Sequence, residues 1–349
     1  MFTRYFFSKL LCKINFPLFN IFIINGFMNF ITCKIISICI LFFTLVSCTP
    51  YQKPLTIGAA PWPNFEFAFL ADELGYLDAR KYSLLELTSS TSVIQAFQTG
   101  KLDLAFLSLD EVLTLVALGI DLKIISVIDR SKGGDAMMAK PHVKSLNDLK
   151  WRSIGYENKA AGALLLDEIF TLTDLNNQTV QLFEVKQNEA KDAYLRSNID
   201  ALIVREPVKQ QLINLGAHEL INSNQLSLPI INVLVARGEL FQDKELQIVD
   251  FLRQFYRAHL FYQKRTAEAL TSMSVRLQLY PYILENALSN TQFIDAKQAL
   301  FRLSGSPSSI ELQAQQLSGL MIEKRMLGSF KTDISSLIST RILERAIYE

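Results

Sequence analysis

The sequence predicts an α/β protein of two similar lobes, each a wound sheet flanked by helices, with extra helices at the C-terminal end. Three observations point there. Residues 55–77 read as an apolar strand that passes through Pro61-Trp62-Pro63 into a helix. The order strand, loop, helix then recurs in two sets, and each set has an apolar strand with an Asp before it and an acid past it: Asp103 with Asp110, and Asp200 with Glu206. From Glu245 onward the apolar periodicity is helical.

The opening unit sets the pattern. Residues 55–59 alternate apolar and small side chains as a strand does, and Pro61 and Pro63 then exclude both a sheet ladder and a helix interior. Asn64 is placed to cap the next helix, whose apolar face is Phe65, Phe69 and Leu70, and Gly75 follows its end. In an open α/β sheet such a loop lies at the carboxyl edge of the strand, beside free helix amides that favour anions, and ligands bind there. Trp62 on this loop either faces a ligand or closes the core beneath the turn.

Residues 82–87 form the second strand, and Thr88-Ser89-Ser90-Thr91-Ser92 opens a helix that ends at Gly100. These hydroxyls either cap helix amides or, at Ser90 and Thr91, present themselves to a ligand. The strand over 104–107 carries Ser108 and Asp110 at its carboxyl end, a helix follows over 112–118, and the strand over 122–128 leaves through a polar loop, 129–136, that brings Ser131 and Asp135 to the same edge. Gly133 and Gly134 in that loop permit a positive φ or a close approach, and serve equally as a hinge or a turn.

The second set places strands over 152–156 and 180–185, helices over 163–170 and 188–195, and an apolar strand before Glu206-Pro207. A helix over 208–215, an extended piece over 219–221 and an apolar strand over 230–236 come next, with 228–232 as the return crossing. Helices over 248–262, 267–277, 290–303, 310–324 and 334–347 then brace the first lobe, their Arg and Lys side chains on solvated faces.

Composition narrows the function. The 349 residues carry 35 Lys and Arg against 34 Asp and Glu, which gives no basic face for nucleic acid. The four cysteines, Cys12, Cys33, Cys39 and Cys48, all precede residue 49, so no disulfide or cysteine metal site holds the body. Residues 35–45 are an uninterrupted apolar run between Lys34 and Val46-Ser47-Cys48, in the order of a secretory signal. Leu45-Val46-Ser47-Cys48 also resembles the bacterial lipobox, which implies a lipidated Cys48 as first mature residue; an uncleaved membrane anchor is the alternative. A start at Met28 gives the signal an ordinary length. The expected organisation is a signal over 1–47, lipidated Cys48 and tether over 48–53, lobe 1 over 54–137, lobe 2 over 138–228, and a return to lobe 1 with the C-terminal helices over 229–349. In either case the body lies outside the cytoplasmic membrane.

Catalytic signatures are missing. His142, His218 and His259 are scattered, as surface or interface residues, and there is no Gly-x-Ser-x-Gly, His-Glu-x-x-His, P-loop or Gly-x-Gly-x-x-Gly. Asp110, Asp135 and Glu206 have no catalytic companions, so no enzyme activity, metal or cofactor is expected.

An ordered set of segments carries a family resemblance: Thr56-Ile-Gly, Pro61-Trp-Pro, Phe69-Leu-Ala, Gly75-Tyr-Leu, Ser89-Ser-Thr-Ser-Val-Ile-Gln-Ala-Phe, Gly100-Lys-Leu-Asp, Ser108-Leu-Asp-Glu, Gly134-Asp-Ala, Ser145-Leu-Asn-Asp-Leu-Lys and Glu206-Pro207. It resembles the substrate-binding proteins of ABC transporters in the nitrate, sulfonate, taurine and thiamine-pyrimidine group. The resemblance implies a periplasmic-binding-protein-like fold of type II, a monomer whose two lobes close over a small molecule and offer it to a membrane permease. It places Trp62, Ser90, Thr91, Asp110, Asp135 and Glu206 in the cleft, with helix amides near Ala161 and Gly162 facing an anionic group. Arg205 stands where many relatives have an aromatic residue, and Trp151-Arg152 where they have a Gly-Lys turn, so no relative's ligand is carried over. The acids at 110, 135 and 206 with those amides suit an amine-bearing zwitterion or neutral compound better than nitrate. Two other roles share the fold: a ligand sensor for a membrane receptor, and an enzyme of thiamine-pyrimidine synthesis, against which the export signal and the cysteine-free body argue.

Overall fold

The computed structural model describes residues 53–158, 161–196, 198–328 and 332–349. The expected export signal and Cys48 lie outside the described residues, as does most of the tether. The strands are β1 Leu55–Ala59, β2 Tyr82–Glu86, β3 Leu104–Ser108, β4 Leu122–Ser131, β5 Asp135–Ala139, β6 Ser153–Tyr156, β7 Gln181–Glu184, β8 Ala201–Arg205, β9 His218–Asn222, β10 Ile231–Arg237 and β11 Thr291–Phe293. They form two sheets, ordered β2-β1-β3-β10-β4-β11 and β7-β6-β8-β5-β9.

The two sheets share a plan. In the first, β1 is parallel to β2 and β3, and β10 runs antiparallel beside β3. In the second, β6 is parallel to β7 and β8, and β5 runs antiparallel beside β8. The repeated Asp before the third strand has a physical task in both. The amide of Thr56 donates to Asp103 Oδ2 at 2.9 Å, and the Asp103 amide donates back to Thr56 Oγ1 at 3.0 Å. The amide of Ser153 donates to Asp200 Oδ2 at 3.0 Å, and the Asp200 amide donates back to Ser153 Oγ at 3.0 Å. The partners are 47 residues apart in both clips. Each clip pins the start of the third strand to the first and so sets their register.

Four local expectations are corrected. The polar stretch 129–136 is not a loop: β4 continues through Ser131 and β5 starts at Asp135, leaving only 132–134 between them. Its polar residues pair instead of meeting water, with β4 bonded to β11 as far as Ser131 and Ser131 Oγ 2.8 Å from Ser223 Oγ. Asn64 does not cap its helix, Glu66–Glu73, which starts after Phe65 without a side-chain cap. The helix expected over 290–303 is instead the edge strand β11 and a shorter helix Ala296–Leu303 whose cap Asp295 accepts from the Gln298 amide at 2.9 Å, and a helix Pro281–Ser289 that opens on its proline precedes them. At the C-terminus a 3₁₀ turn, Ile334–Leu337, precedes the helix Arg341–Tyr348.

The C-terminal helices pack on the first sheet. Phe65, Phe67, Phe106, Phe251 and Phe255 are fully buried there. His259 joins this cluster, where a surface or interface position was expected: its ring stacks on Phe293 at 3.6 Å, and burial lowers its pKa to about 4. Arg276 likewise turns inward. Its Nε donates to Glu66 Oε2 at 2.7 Å, its guanidinium lies 4.0 Å from the Phe69 ring centroid, and it also binds Glu86. The second sheet has aliphatic layers on its two faces, Met137, Leu149, Ile154, Leu165, Ile169 and Ile203 on one, Met138, Val185, Leu202, Val204 and Leu212 on the other. No helix among the described residues is long and apolar enough to cross a membrane.

Candidate ligand-binding cleft

The strand ends that the sequence marks converge between the two sheets. Leaving β1, Pro61 and Pro63 force the turn that buries Trp62 completely. Its indole Nε1 donates to Asp129 Oδ2 at 2.6 Å, an oxygen that also accepts from Asn64 Nδ2 at 2.8 Å, while Asp129 Oδ1 accepts from Asn232 Nδ2 at 2.7 Å. Asp129 and Asn232 face each other across the β4–β10 ladder. Burial pushes the Asp129 carboxyl up to about 6, against the pull of the Asn232, Trp62 and Asn64 bonds and of the Arg205 charge. Gly134, on the crossing between the sheets, passes so close that a Cβ there would stand 2.8 Å from Trp62 Cη2 and 3.0 Å from the Asn290 carbonyl. Only glycine lets the backbone lie against the ring.

Arg205, at the carboxyl end of β8, reaches across from the second sheet. Its guanidinium lies 4.3 Å from the Trp62 ring centroid, Nη1 donates to Ser90 Oγ at 3.0 Å, Nη2 is 3.4 Å from Asn232 Oδ1, and Nε is 3.7 Å from Asp135 Oδ1. It is buried. One side chain thus joins Trp62, Ser90 and Asp135.

Thr91 is joined to the other sheet separately. In the helix Ser90–Gln98 the cap is Ser89, whose Oγ accepts from the Ser92 amide at 3.2 Å. Ser90 and Thr91 are therefore released for the opposite lobe. Glu157, just past β6, accepts at a single oxygen from the Thr91 amide at 2.9 Å and from Thr91 Oγ1 at 2.6 Å. Ala161 is buried and Gly162 half-buried at the start of the helix Ala161–Leu172, and a Cβ at 162 would stand 3.2 Å from the Glu157 carbonyl. Their residue types let that helix begin close against Glu157.

The remaining acids are buried beside this network. Asp110 lies in the first turn of the helix Leu109–Ala117, where its neighbour Glu111 accepts from the Ser108 amide at 2.9 Å. Burial raises the pKa of both. Asp135 is raised by burial against the Arg205 charge, and its Oδ2 has no partner. Glu206 is also raised by burial; its Oε1 accepts from Gln210 Nε2 at 2.9 Å and Asn290 Nδ2 at 2.8 Å, and its Oε2 has no partner. Lys209 Nζ donates to the Gly133 carbonyl at 2.7 Å and lies 2.6 Å from Glu219 Oε2. Carboxyl groups outnumber cations here: Glu111 Oε1, Asp135 Oδ2 and Glu206 Oε2 meet no donor, and Arg205 Nε, 3.7 Å from Asp135 Oδ1, meets no acceptor within hydrogen-bond distance.

Trp62, Ser90, Thr91 and Asp135 are brought together by Arg205 and Glu157, while Glu206 sits on the Asn290 side. Sequence reasoning missed Glu157, Asp129 and Asn232 as site residues and read Arg205 only as a departure. The signal was present: Asp129, Glu157 and Arg205 are polar residues near or just past the carboxyl end of an apolar strand, at the edge where Asp110 was already marked, and Asn232, near the start of the antiparallel β10, pairs with Ser108 at that same edge.

Comparisons with known proteins agree with the two-sheet fold. A putative aliphatic sulfonates-binding protein of Bacillus subtilis (strain 168) is 22% identical over 215 residues, which are 61% of this chain and 65% of that protein, so the chain spans about two-thirds of the length of this curated relative. Among solved structures, the alkanesulfonate-binding protein SsuA from Xanthomonas axonopodis pv. citri bound to MOPS superposes with a TM-score of 0.69 at 16% identity, covering 83% of this chain and 99% of that one. The periplasmic nitrate-binding protein NrtA from Synechocystis PCC 6803 superposes with a TM-score of 0.68 at 10% identity, covering 86% and 89%. The two-sheet arrangement is the periplasmic-binding-protein fold of type II, as the resemblance implied. Residues 62–269, more than half of the chain, match the model of the NMT1/THI5 like family, and the chain belongs to that family.

Proposed function

We propose that this chain is an extracytoplasmic solute-binding protein that closes its two lobes over a small polar molecule bearing a cationic amine and delivers it unaltered to an ABC-type permease. The observation that carries the amine is the cleft itself: Asp110, Asp129, Asp135 and Glu206 are buried there, Asp135 Oδ2 and Glu206 Oε2 lack donors, and Arg205 and Lys209 are the buried cations beside them. A buried carboxylate oxygen without a partner is costly, and a solute ammonium that supplies both charge and donors removes that cost on closure. The family and its sulfonate- and nitrate-binding relatives support capture and delivery. The lipobox-like segment ending at Cys48 supports attachment of a monomer to the membrane by a lipid, with fatty-acid labelling lost in Cys48→Ala as its check. Native mass spectrometry of the gently purified protein, followed by calorimetry, tests the ligand. A retained cationic amine that binds again after removal is the expected result, and binding of nitrate or sulfate with no amine bound overturns it.

A further inference from the structure

The N-terminus of the helix Ser90–Gln98 faces the other lobe, and it is already occupied. Ser89 satisfies the Ser92 amide from within the helix, but the Thr91 amide and hydroxyl both donate to Glu157 Oε1, which comes from beyond the cleft. A helix N-terminus carries partial positive charge and unsatisfied N–H groups, so a carboxylate there gains both charge-assisted hydrogen bonds and a favourable dipole. Glu157 is 1% exposed and makes these contacts from the second sheet onto a helix of the first. Gly162 lies close beside it, where a Cβ would stand 3.2 Å from the Glu157 carbonyl.

We propose that Glu157 is the specificity-determining residue of the cleft: a built-in anion that takes the seat an acidic solute group would use, and so rejects anionic solutes while latching the lobes together. The proposal rests on the solute-binding reading above. It explains how a fold whose relatives include sulfonate- and nitrate-binding proteins can turn away from anions: the acid at the helix end is the chain's own. Exclusion of this kind acts through a side chain that already fills the place and takes the donors the wrong ligand needs.

The test is gain of function. In a buffer free of sulfonate, sulfate and phosphate, the purified protein and its Glu157→Ala variant are titrated with sodium ethanesulfonate by calorimetry. The parent is expected to show no binding, and Glu157→Ala to bind at least roughly tenfold more tightly than the parent's detection limit, a change of about 1.4 kcal/mol. Glu157→Gln, whose amide oxygen still accepts from Thr91, is expected to stay like the parent. Should Glu157→Ala not unfold cooperatively, Glu157→Ser opens the same seat with a small polar side chain. A purely structural role for Glu157 produces no new anion affinity in any variant. Ethanesulfonate binding equally to the parent and to the opened variant, or to neither while the opened variant melts cooperatively, overturns the proposal. Those outcomes leave the solute-binding reading standing if a cationic amine is still retained by the parent, and absence of any retained or rebinding amine removes that reading on its own.

Discussion

The first and second lobes are built on one strand plan and one Asp clip, yet they are unequal partners. The first has six strands, a floor of buried phenylalanines and most of the C-terminal helical brace; the second has five strands between two thin aliphatic layers. The division extends to the cleft. The first lobe contributes an aromatic wall and a network already satisfied within itself, in Trp62, Asn64, Asp129 and Asn232. The second contributes long or unpaired charged groups, Glu157, Arg205 and Glu206, that reach across or stand open. One lobe is a base and the other a jaw, and the duplicated plan diverged mainly in what it placed at the strand ends.

The largest expected effect tests the base. Phe106 packs against Phe65 at 4.9 Å and Phe255 at 5.5 Å between ring centroids, and Phe106→Ala is expected to cost about 3–5 kcal/mol and to lower hydrogen-exchange protection in both lobes. Leu165→Ala in the second lobe is expected to cost about 2–4 kcal/mol, with its loss of protection confined to that lobe. Equal spreading from both substitutions breaks the distinction between base and jaw.

The next concerns pH. Asp129 rises from an ordinary 3.8 to about 6 on folding, so the ligand-free protein gains stability from this group as its proton is taken up below pH 6, and loses it again as pH climbs through 6. Between pH 7.5 and pH 5 the swing from Asp129 is about 1.4 kcal/mol, because pH 5 lies one unit below its folded value and each unit is worth about 1.36 kcal/mol. Chemical denaturation at the two pH values reads it, and Asp129→Asn is expected to reduce the difference by about that amount while the other buried carboxyls keep their share. Amine binding runs the other way, because protons compete with the ligand for the cleft carboxylates. Affinity for a retained amine is expected to fall by about tenfold from pH 7.5 to 5, and affinity that is unchanged or stronger at pH 5 contradicts the cationic site.

The smallest effects sharpen the shared plan. Thr56→Val and Ser153→Ala each remove the side chain from one clip and leave an Asp without it, and each is expected to cost about 1 kcal/mol in urea denaturation. A loss in one lobe only shows that the two clips are alike in geometry but not in work.

Much of this was legible in the sequence. The Asp103 and Asp200 echo marked a strand plan that the two sheets share, and Pro61-Trp62-Pro63 marked a real turn after β1, because proline and strand periodicity are local properties. The partners were less legible because they are set by tertiary contact. Asn64 has the residue type of a helix cap but meets Asp129, 65 residues away, and so abandons its helix. The run from Asp129 to Asp135 has loop composition, but opposite strands supply its hydrogen bonds and it remains sheet. Glu157 lies in a segment that reads as an ordinary polar lead into a helix, and nothing local foretells that Thr91 waits for it across the cleft.

The burial of Trp62 beneath Arg205 has a practical consequence. The chain contains two tryptophans, and the other, Trp151, stands 69% exposed on the second lobe. Once Trp151 is replaced by phenylalanine, the emission of a single indole reports on whether the guanidinium and the Gly134 backbone still cover it. The molecule thus carries an optical gauge of its own opening, readable in a stopped-flow cell without any attached dye.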